Sequence, residues 1–367
     1  MSARRSNGAR RARRFRIVGI PCAVGVAWIA VVAPATTSSA NTSHFNEPGN
    51  IVVADQFNNR VVEIDLHHHV VWQFGDGSDV AGPHSVVGPN DVERVGDLTL
   101  IAGTGTPAGA DPSCTDPSGC ADNRVILVDR WGQIVWQYGQ AGTTGSGKNE
   151  LNTPVQATAV PGGDVLITDQ GNSRVIEVNR DHDVVWQYGM SGTSGAGFDQ
   201  LNNPNSAELL PNGHVLIADE TNNRVIEVTR THHIVWQYGS PSDTTTLNGA
   251  AFASRLPNGH TLITDSNNNR VVEVSSEKMV VWSYSTNTRA GSIADPLPTR
   301  AVRLDSGNTL ISDQFNDQVI DVNHHGQIVF SQGQIQVDGD GFNRLNAPYD
   351  AKMVGDFTGL TLPTDFR

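Results

Sequence analysis

The sequence has little charge, little cysteine and no sign of long helices. Only 17% of its 367 residues are charged, and three are cysteine. After the first 40 residues, apolar side chains do not recur with the 3.6-residue period of an amphipathic helix, which argues against an α-helical fold. The apolar run at residues 17–32 is shorter than the roughly 20 residues that a membrane-spanning helix usually needs.

The first 40 residues lack lysine and acidic side chains but contain seven arginines. The apolar run follows these arginines, and small residues follow it at 33–35 and 38–40. This order is typical of a secretory signal peptide and its cleavage site. We therefore predict a signal peptide at residues 1–40, a leader at 41–49 and a secreted or extracytoplasmic protein. An uncleaved N-terminal membrane anchor at 1–40 is the alternative.

The remaining chain is strongly acidic. Without the seven arginines of the predicted signal peptide, the chain has 18 basic and 38 acidic residues, a formal net charge of −20. Such a surface repels nucleic acid and anionic membranes. We therefore expect no nucleic-acid partner and no membrane insertion after signal cleavage. A protein, a glycan or a small molecule remains open as the ligand, and a monomer is expected.

Two cysteines, Cys114 and Cys120, remain outside the predicted signal peptide. They form an even pair, lie close in sequence and belong to a chain that carries an export signal. In an oxidising compartment such a pair forms a disulfide bond. We therefore predict a disulfide between them.

One motif recurs along the chain. The sequence VLIADETNNRVIEV around Asp219 has close copies around Asp55, Asp169, Asp265 and Asp313. The spacings from Asp169 to Asp313 are 50, 46 and 48 residues. An altered copy surrounds Asn123-Arg124, within the 114 residues that separate Asp55 from Asp169. A repeat at such a period indicates one supersecondary unit that is stacked several times.

Each repeat contains four short, β-branched runs separated by Gly, Asn and Pro, which predicts four antiparallel strands. Six such units arranged radially form an all-β, six-bladed β-propeller, here at residues 50–354. The first unit lacks an innermost strand, and a spare one stands at residues 347–354. We predict that this C-terminal segment becomes the innermost strand of blade one and closes the ring, which removes an exposed sheet edge. The tail at 355–367 has no predicted place.

Each copy resembles an NHL repeat, in which a strand ending in Asp is followed by a Gly/Asn turn and Asn-x-Arg-Val. The loop sequence GAGFDQLNNP at residues 195–204 is also similar to that family. The motif PNGHVLI…RVIEV…VVWQYG is similar to repeats of arylsulfotransferase-like and quinoprotein-like propellers. The NHL resemblance implies a platform that binds proteins, RNA or small ligands. One branch of that family contains zinc-dependent lyases.

The repeated carboxylate and guanidinium are expected to be structural. An Asp at the end of the second strand can bind an Arg at the start of the third, across the intervening turn. Because the pair recurs from blade to blade, it serves the blade rather than a single site. The predicted pairs are Asp55–Arg60, Asp169–Arg174, Asp219–Arg224 and Asp265–Arg270. Blade six has Gln318 instead of Arg, and blade two has Gly103 where the Asp is expected.

No metal or other cofactor is predicted. The histidine clusters, such as residues 67–69, fall in third-to-fourth strand turns of different blades and cannot surround one ion. Residues 338–343, DGDGFN, suggest a calcium loop. This loop lacks an acid at its fifth position and Glu at its twelfth, and its glycines match those of another repeat. Calcium is therefore a minor alternative to no ion.

Function is expected where the repeats differ. In an alignment of the six predicted innermost strands, one column is uniformly small and should pack between blades. The neighbouring columns are mostly polar, vary between blades and should face the channel. The candidate ligand-binding residues at the channel mouth are Asp91, Gln156, Arg300 and Asp350 of these columns, together with Tyr349, which precedes Asp350. A water-filled channel with scattered charges is the alternative.

Two features favour one face of the ring. The loops from fourth to first strands are long and glycine-rich, and the Cys114–Cys120 insertion lies at the same end of the blades. We therefore predict a binding or scaffold module that uses this face and the channel mouth. The alternative is an extracytoplasmic lyase, hydrolase or sulfotransferase-like enzyme with Asp91 or Asp350 and Arg300 at the mouth. No catalytic residue is assigned.

Overall fold

A computed structural model describes residues 44–364 of the chain. These residues form six four-stranded antiparallel sheets, arranged as the blades of an all-β propeller. Among them no helix is long and apolar enough to cross a membrane. The predicted signal peptide or anchor at 1–40 lies outside the described residues, as do the first residues of the leader.

The described part of the chain contains 24 strands, and short loops connect most of them. In chain order the strands are β1 Ile51–Asp55, β2 Arg60–Ile64, β3 Val70–Phe74, β4 Pro89–Val95, β5 Leu98–Thr106, β6 Cys120–Val128, β7 Ile134–Gly139, β8 Pro154–Val160, β9 Asp164–Asp169, β10 Arg174–Val178, β11 Val184–Tyr188, β12 Pro204–Leu209, β13 Val215–Asp219, β14 Arg224–Val228, β15 Ile234–Gly239, β16 Ala250–Arg255, β17 Thr261–Asp265, β18 Arg270–Val274, β19 Val280–Ser285, β20 Arg300–Arg303, β21 Thr309–Asp313, β22 Gln318–Val322, β23 Ile328–Gln332 and β24 Pro348–Met353.

Blade one consists of β24, β1, β2 and β3, from the channel outwards. The C-terminal strand β24 pairs antiparallel with β1, with Val53 opposite Ala351. Blades two to six are β4–β7, β8–β11, β12–β15, β16–β19 and β20–β23. The predicted closure of the ring by the C-terminal strand is therefore confirmed, and it leaves no unpaired strand between the first and last blades.

The turn after the second strand has the same geometry in five blades. A three-residue 3-10 turn follows the Asp and ends at a residue with positive φ, between 48° and 57°. Asn and Asp tolerate this left-handed conformation better than most residues, because their short side chains form local hydrogen bonds. This explains why the repeats carry Asn, Ser or Asp here, at Asn59, Ser173, Asn223, Asn269 and Asp317.

The hydrophobic core lies between the blades. Each cluster of buried aliphatic side chains combines second- and third-strand residues of one blade with those of its neighbour, as Val125 and Leu127 of blade two do with Ile167 of blade three. The small column of the innermost strands is also buried, as expected for residues packed between sheets, at Val92, Ala157, Ala207, Ala253, Ala301 and Ala351. Apolar burial between sheets is thus repeated around the ring.

The C-terminal tail, for which the sequence predicted no place, crosses one end of the channel. It leaves blade one after β24, and Thr361 then exchanges hydrogen bonds with Leu209, at the end of β12 in blade four. Farther on, Thr364 Oγ1 donates to the carbonyl of Val160, at the end of β8 in blade three (2.9 Å). Before these contacts, Asp356 accepts the backbone N–H of Asp305 in blade six (2.7 Å). The tail therefore passes from blade one by way of blade six to blades four and three, over the end of the channel at which the innermost strands finish.

Candidate functional site

The four predicted Asp–Arg pairs have one common geometry. In each, the Arg Nε donates to the Asp Oδ2 at 2.7 Å, in the pairs Asp55–Arg60, Asp169–Arg174, Asp219–Arg224 and Asp265–Arg270. The other carboxylate oxygen accepts a backbone N–H two residues before the innermost strand, as Asp219 Oδ1 does from Asn202 (2.7 Å). Each pair therefore ties the second strand, the third strand and the incoming loop together.

Blade two keeps this chemistry with the carboxylate in a different place. Asp122, on the third strand β6, binds Arg124 Nε (2.6 Å) and accepts the backbone N–H of Val87 (2.8 Å). Val87 lies two residues before β4, as Asn202 does before β12. A Cβ on Gly103 would lie 2.6 Å from the Asp122 Cγ, so the absence of a side chain there makes room for the carboxylate. Blade two therefore keeps the ion pair, although Gly103 stands at the position of the usual Asp.

Blade six supplies the guanidinium from elsewhere. Gln318 replaces the usual Arg, and Arg289 from the preceding loop binds both Asp313 Oδ2 and Gln318 Oε1. The position that donates a backbone N–H in the other blades is Pro296, which has none. Within residues 44–364, Asp313 Oδ1 consequently accepts no hydrogen bond. Burial raises the pKa of Asp313 to about 6, although Arg289 opposes the shift.

The turn histidines pack against the neighbouring blade. His182 contacts the Trp136 and Tyr138 rings of blade two edge-on, at centroid distances of 5.7 and 5.8 Å. His232 makes the corresponding contacts with Trp186 and Tyr188. The described part of the chain contains no group of three or more His, Cys, Asp or Glu that could hold a metal ion. These histidines therefore fill the outer gaps between blades.

The loop that suggested a calcium site is bound to blade one. The carbonyl of Gly339 accepts a hydrogen bond from Asn58 Nδ2 (2.8 Å). The carbonyl of Asp340 accepts one from Arg60 Nη1 (3.2 Å). These contacts fasten the loop beside the Asp55–Arg60 pair.

The predicted channel residues line the channel wall and are buried. Asp350 of blade one accepts the backbone N–H of Val92 in blade two (3.0 Å). Asp91 likewise accepts that of Ala157 in blade three (3.2 Å). Gln156 continues the series by accepting from blade four. Each of these side chains therefore connects its blade to the next one, because its carbonyl or carboxylate oxygen satisfies a backbone donor that no strand pairs.

Asp91 and Asp350 are brought together by Lys352, which was not among the predicted site residues. Lys352 Nζ donates to Asp91 Oδ1 at 2.8 Å and to Asp350 Oδ2 at 2.6 Å. Burial raises the pKa of Asp91 to about 7, with Asp350 adding to the shift and Lys352 opposing it. One ammonium group thus serves two buried carboxylates, and the arrangement is an internal ion cluster within the wall.

Arg300 lies apart from both carboxylates. Its side chain is only 1% exposed, and it donates to carbonyl and amide oxygens, including Val155 O (3.0 Å) and Asn205 Oδ1 (2.9 Å). Asn205 Nδ2 in turn donates to Glu220 Oε2 (2.9 Å) and to the hydroxyl of Tyr349 (2.9 Å). The structure therefore places Arg300 and Tyr349 in one group, and Asp91 and Asp350 in another.

A cavity of about 290 Å³ opens at the other end of the channel from the tail. It lies on the long-loop face, which we define as the face that carries the fourth-to-first strand loops and the insertion loop at residues 107–119. Nine of its fourteen lining residues have polar side chains, and the apolar side chains are those of Phe57, Phe315, Pro107 and Ala110. We refer to this space as the mouth cavity. Its polar side chains are those of Gln56, Asn90, Thr104, Thr153, Gln170, Asn205, Glu220, Gln314 and Tyr349.

Hydrogen bonds join the polar side chains of the mouth cavity across blades. Gln314 of blade six donates to Gln56 of blade one, and Gln56 donates to Asn90 of blade two, both at 2.8 Å. On another side, Gln170 Nε2 of blade three donates to Glu220 Oε2 of blade four (3.3 Å). Burial raises the pKa of Glu220, while the Asn205 hydrogen bond and the charge of Arg300 oppose the shift.

Most residues of the mouth cavity were missed in the sequence, although a signal exists. The position directly after the repeated Asp lines the mouth cavity in five of the six blades, and it is polar in all six. That column reads Gln56, Thr104, Gln170, Glu220, Ser266 and Gln314. Of the five predicted residues, Tyr349 lines the cavity directly. Arg300 acts on it through Asn205, and Asp91, Gln156 and Asp350 belong to the wall below it.

The insertion loop borders the mouth cavity and is closed by a disulfide bond. Cys114 and Cys120 are bonded, with their Cα atoms 5.8 Å apart, so the predicted disulfide is confirmed. Two further cavities, of about 270 and 600 Å³, flank this loop. The loop therefore shapes the long-loop face on the side of blade two.

No known family model matches the chain, and no curated protein matches it. Solved structures do match. A Bacteroides caccae protein of unknown function is 15% identical, with a TM-score of 0.55 over 78% of this chain and 93% of that one. A streptogramin B lyase structure is 12% identical, with a TM-score of 0.50 over 80% of each chain. At these identities the likeness shows a shared propeller fold and carries no activity with it.

Proposed function

We propose that this protein is an exported, NHL-like propeller that binds its ligand at the mouth cavity and the surrounding long-loop face. The observation that carries the proposal is the difference between the two ends of the channel. One end is crossed by the C-terminal tail, whereas the other opens into a polar cavity lined by several blades and by the insertion loop. Clefts with a few converging polar groups are the usual sites for small ligands.

The repeated Asp–Arg pairs support the NHL-like assignment, because the chemistry is maintained in blades two and six by substitute residues. The disulfide supports export, since such bonds persist in oxidising compartments. The acidic, nucleic-acid-repelling surface and the arginine-rich N terminus agree with a secreted protein that acts as a monomer.

The buried ion cluster favours binding over catalysis. Asp91 and Asp350 each accept a hydrogen bond from Lys352, so neither is free to act on a substrate in the mouth cavity. Arg300 is likewise committed to carbonyl and amide oxygens of the wall. The enzyme alternative based on these three residues is therefore the weaker proposal.

The test uses the mature chain, residues 41–367, and a variant whose mouth cavity is filled. Ala110→Trp adds a large side chain to the rim without removing any hydrogen bond of the cavity. Ser276→Trp is the control, because it adds the same side chain at an exposed third-to-fourth strand turn of blade five, at the opposite end of the blades. Neutral trisaccharides, uronic-acid trisaccharides and tripeptides are titrated by calorimetry. We expect at least one of them to bind, and Ala110→Trp but not Ser276→Trp to abolish that binding. Binding that survives Ala110→Trp, or turnover of a bound compound, would overturn the proposal.

A further inference from the structure

We propose that the mouth cavity recognises a neutral saccharide, whose hydroxyl groups bind the amide side chains and Glu220 and whose ring packs on Phe57 and Phe315. This inference rests on the proposed function and specifies its ligand class. It follows from three properties of the cavity, which are its hydrogen-bonding groups, its balanced charge and the aromatic side chains on one side.

The first property is the large number of side chains that can both donate and accept hydrogen bonds. Five amide side chains line the cavity, and each amide offers two N–H donors and a carbonyl acceptor. They are those of Gln56, Asn90, Gln170, Asn205 and Gln314. A sugar hydroxyl is also both donor and acceptor, so it can replace water at either end of an amide. Few other neutral ligands present so many such groups on a compact ring.

The second property is hydrogen-bonding capacity that the protein does not use itself. Gln314 and Gln170 each donate through Nε2 to a neighbouring side chain. Within residues 44–364 their Oε1 atoms accept no hydrogen bond, and the same holds for Glu220 Oε1. These three oxygens are acceptors for ligand hydroxyl groups. A carboxylate forms stronger hydrogen bonds than a neutral acceptor, so Glu220 is the strongest of the three.

The third property is the absence of a net charge at the site. Asn205 connects the only carboxylate of the cavity lining to the buried guanidinium, since its Oδ1 accepts from Arg300 and its Nδ2 donates to Glu220, both at 2.9 Å. Arg300 opposes the rise in the pKa of Glu220, so it already compensates the charge of that carboxylate. A charged ligand of either sign would therefore lose hydration in the cavity without gaining a counter-charge there. A neutral ligand avoids this loss.

The aromatic side chains lie together on one side of the cavity. Phe57 and Phe315 occupy the same position in the adjacent blades one and six, in the identical triplets Gln56-Phe57-Asn58 and Gln314-Phe315-Asn316. The corresponding residues in blades three to five are Gly171, Thr221 and Asn267. Phe315 is 37% exposed although it borders a polar space. The C–H face of a sugar ring is apolar, and packing against these rings would bury both surfaces.

The size of the cavity limits what it can enclose. Its volume of about 290 Å³ lies at the lower end of the range of ligand pockets. It therefore suits a terminal sugar residue of a glycan, with the following residues directed towards the insertion loop. Because the tail lies at the far end of the channel, the ligand is expected to enter from the long-loop face.

The experiment compares size-matched ligands of different charge. Neutral tri- and tetrasaccharides of glucose, galactose, mannose and N-acetylglucosamine are titrated into the mature chain, beside glucosamine and galacturonic-acid oligomers and neutral tripeptides. We expect at least one neutral saccharide to bind, and the charged oligomers of the same sugar to bind about tenfold more weakly or worse. Phe315→Ala should weaken binding of that saccharide about tenfold. The matched control is Trp131→Ala, which removes an exposed aromatic side chain from the third-to-fourth strand turn of blade two, at the opposite end of the blades, and should change the affinity by less than about twofold.

The outcomes separate this inference from the proposed function. If a tripeptide or a charged oligomer binds, and Ala110→Trp abolishes its binding, the saccharide inference fails and the binding module stands. If no neutral saccharide binds at up to about 10 mM, beyond the Kd of a weak site, the inference also fails. If a saccharide binds but Trp131→Ala and Phe315→Ala have equal effects, the site is not the mouth cavity. Binding insensitive to Ala110→Trp would reject both proposals together.

Discussion

The carboxylate exchange in blade two allows a direct test of why the Asp–Arg pair recurs. Arg124 is buried and binds Asp122 through Nε (2.6 Å) and Nη2 (3.1 Å). Asp122→Ala leaves this guanidinium without its counter-charge, and breaking a buried pair in this way typically costs about 3–5 kcal/mol. Arg124 keeps the carbonyls of Gly82 and Ser85 as acceptors, both at 3.0 Å. We therefore expect a loss near the lower end, about 3 kcal/mol.

The second perturbation moves the carboxylate to the position used in the other blades. Gly103→Asp alone should be destabilising, because its Cβ would lie 2.6 Å from the Asp122 Cγ. Together with Asp122→Ala the clash disappears, and the new carboxylate stands opposite Arg124 in the strand register. We expect the double variant to recover about 2 kcal/mol relative to Asp122→Ala, which is a coupling energy within the range for contacting residues.

The assay is urea unfolding of the mature chain with the disulfide intact, followed by tryptophan fluorescence. Gly103→Ala combined with Asp122→Ala is the matched control, because it relieves the same clash without supplying a carboxylate, and it should recover nothing. The reasoning fails if Asp122→Ala costs less than about 1 kcal/mol, the loss of an ordinary hydrogen bond. It also fails if the Ala control recovers as much stability as the Asp variant.

Three further predictions concern buried charges. Pro296→Asn should supply the backbone N–H that Asp313 Oδ1 lacks. The new hydrogen bond should lower the pKa of Asp313 from about 6 and add about 1 kcal/mol to the unfolding free energy above that pH. Pro298→Ala changes the neighbouring proline as a control and should leave the pH dependence of the unfolding free energy unchanged. The folded pKa of Asp91 is raised to about 7 from an ordinary value near 4, so the folded state binds more protons between these pH values. This group should therefore make the unfolding free energy fall as the pH rises from about 4 to 7. Asp91→Asn should flatten that part of the pH profile, and an unchanged slope would contradict the assignment. Lys352→Met should cost about 3–5 kcal/mol at pH 8, because it removes the cation that both buried carboxylates share. The cost should be smaller at pH 5, where Asp91 can take up a proton. Equal costs at both pH values would contradict the shared ion cluster.

The channel-facing position of the innermost strands has a different role in different blades. In blades one and two the channel-facing carboxylates are used inside the wall, where Lys352 neutralises them. In blade six the same position holds Arg300, which reaches towards the mouth and fixes Asn205. The polarity of this column therefore predicts which residues face the channel, but it does not predict the ligand site. Most of these side chains are buried and bind the neighbouring blade, because a buried polar group needs a hydrogen-bond partner.

Much of the architecture could be predicted because it depends on neighbours in sequence. The Asp turn, the left-handed Asn and the Arg of blades such as four lie within six residues, and the register of two adjacent strands places them together. The closing strand β24 was identified because the first repeat lacks the strand that the last segment supplies. Blades two and six deviate because Asp122 and Arg289 come from other strands or loops, where no local pattern marks them.

The repeat by itself determined the strand order of each blade, the number of blades and the closure of the ring, because each of these depends on short-range pattern and on counting. Only the tertiary structure decided that the column of residues after the repeated Asp lines a common cavity in five of the six blades and that the tail lies at the opposite end. Gln314 and Gln56 are 258 residues apart and share a hydrogen bond. Ring closure brings equivalent positions of distant repeats around one axis, so side chains that are unrelated in sequence become the walls of one site.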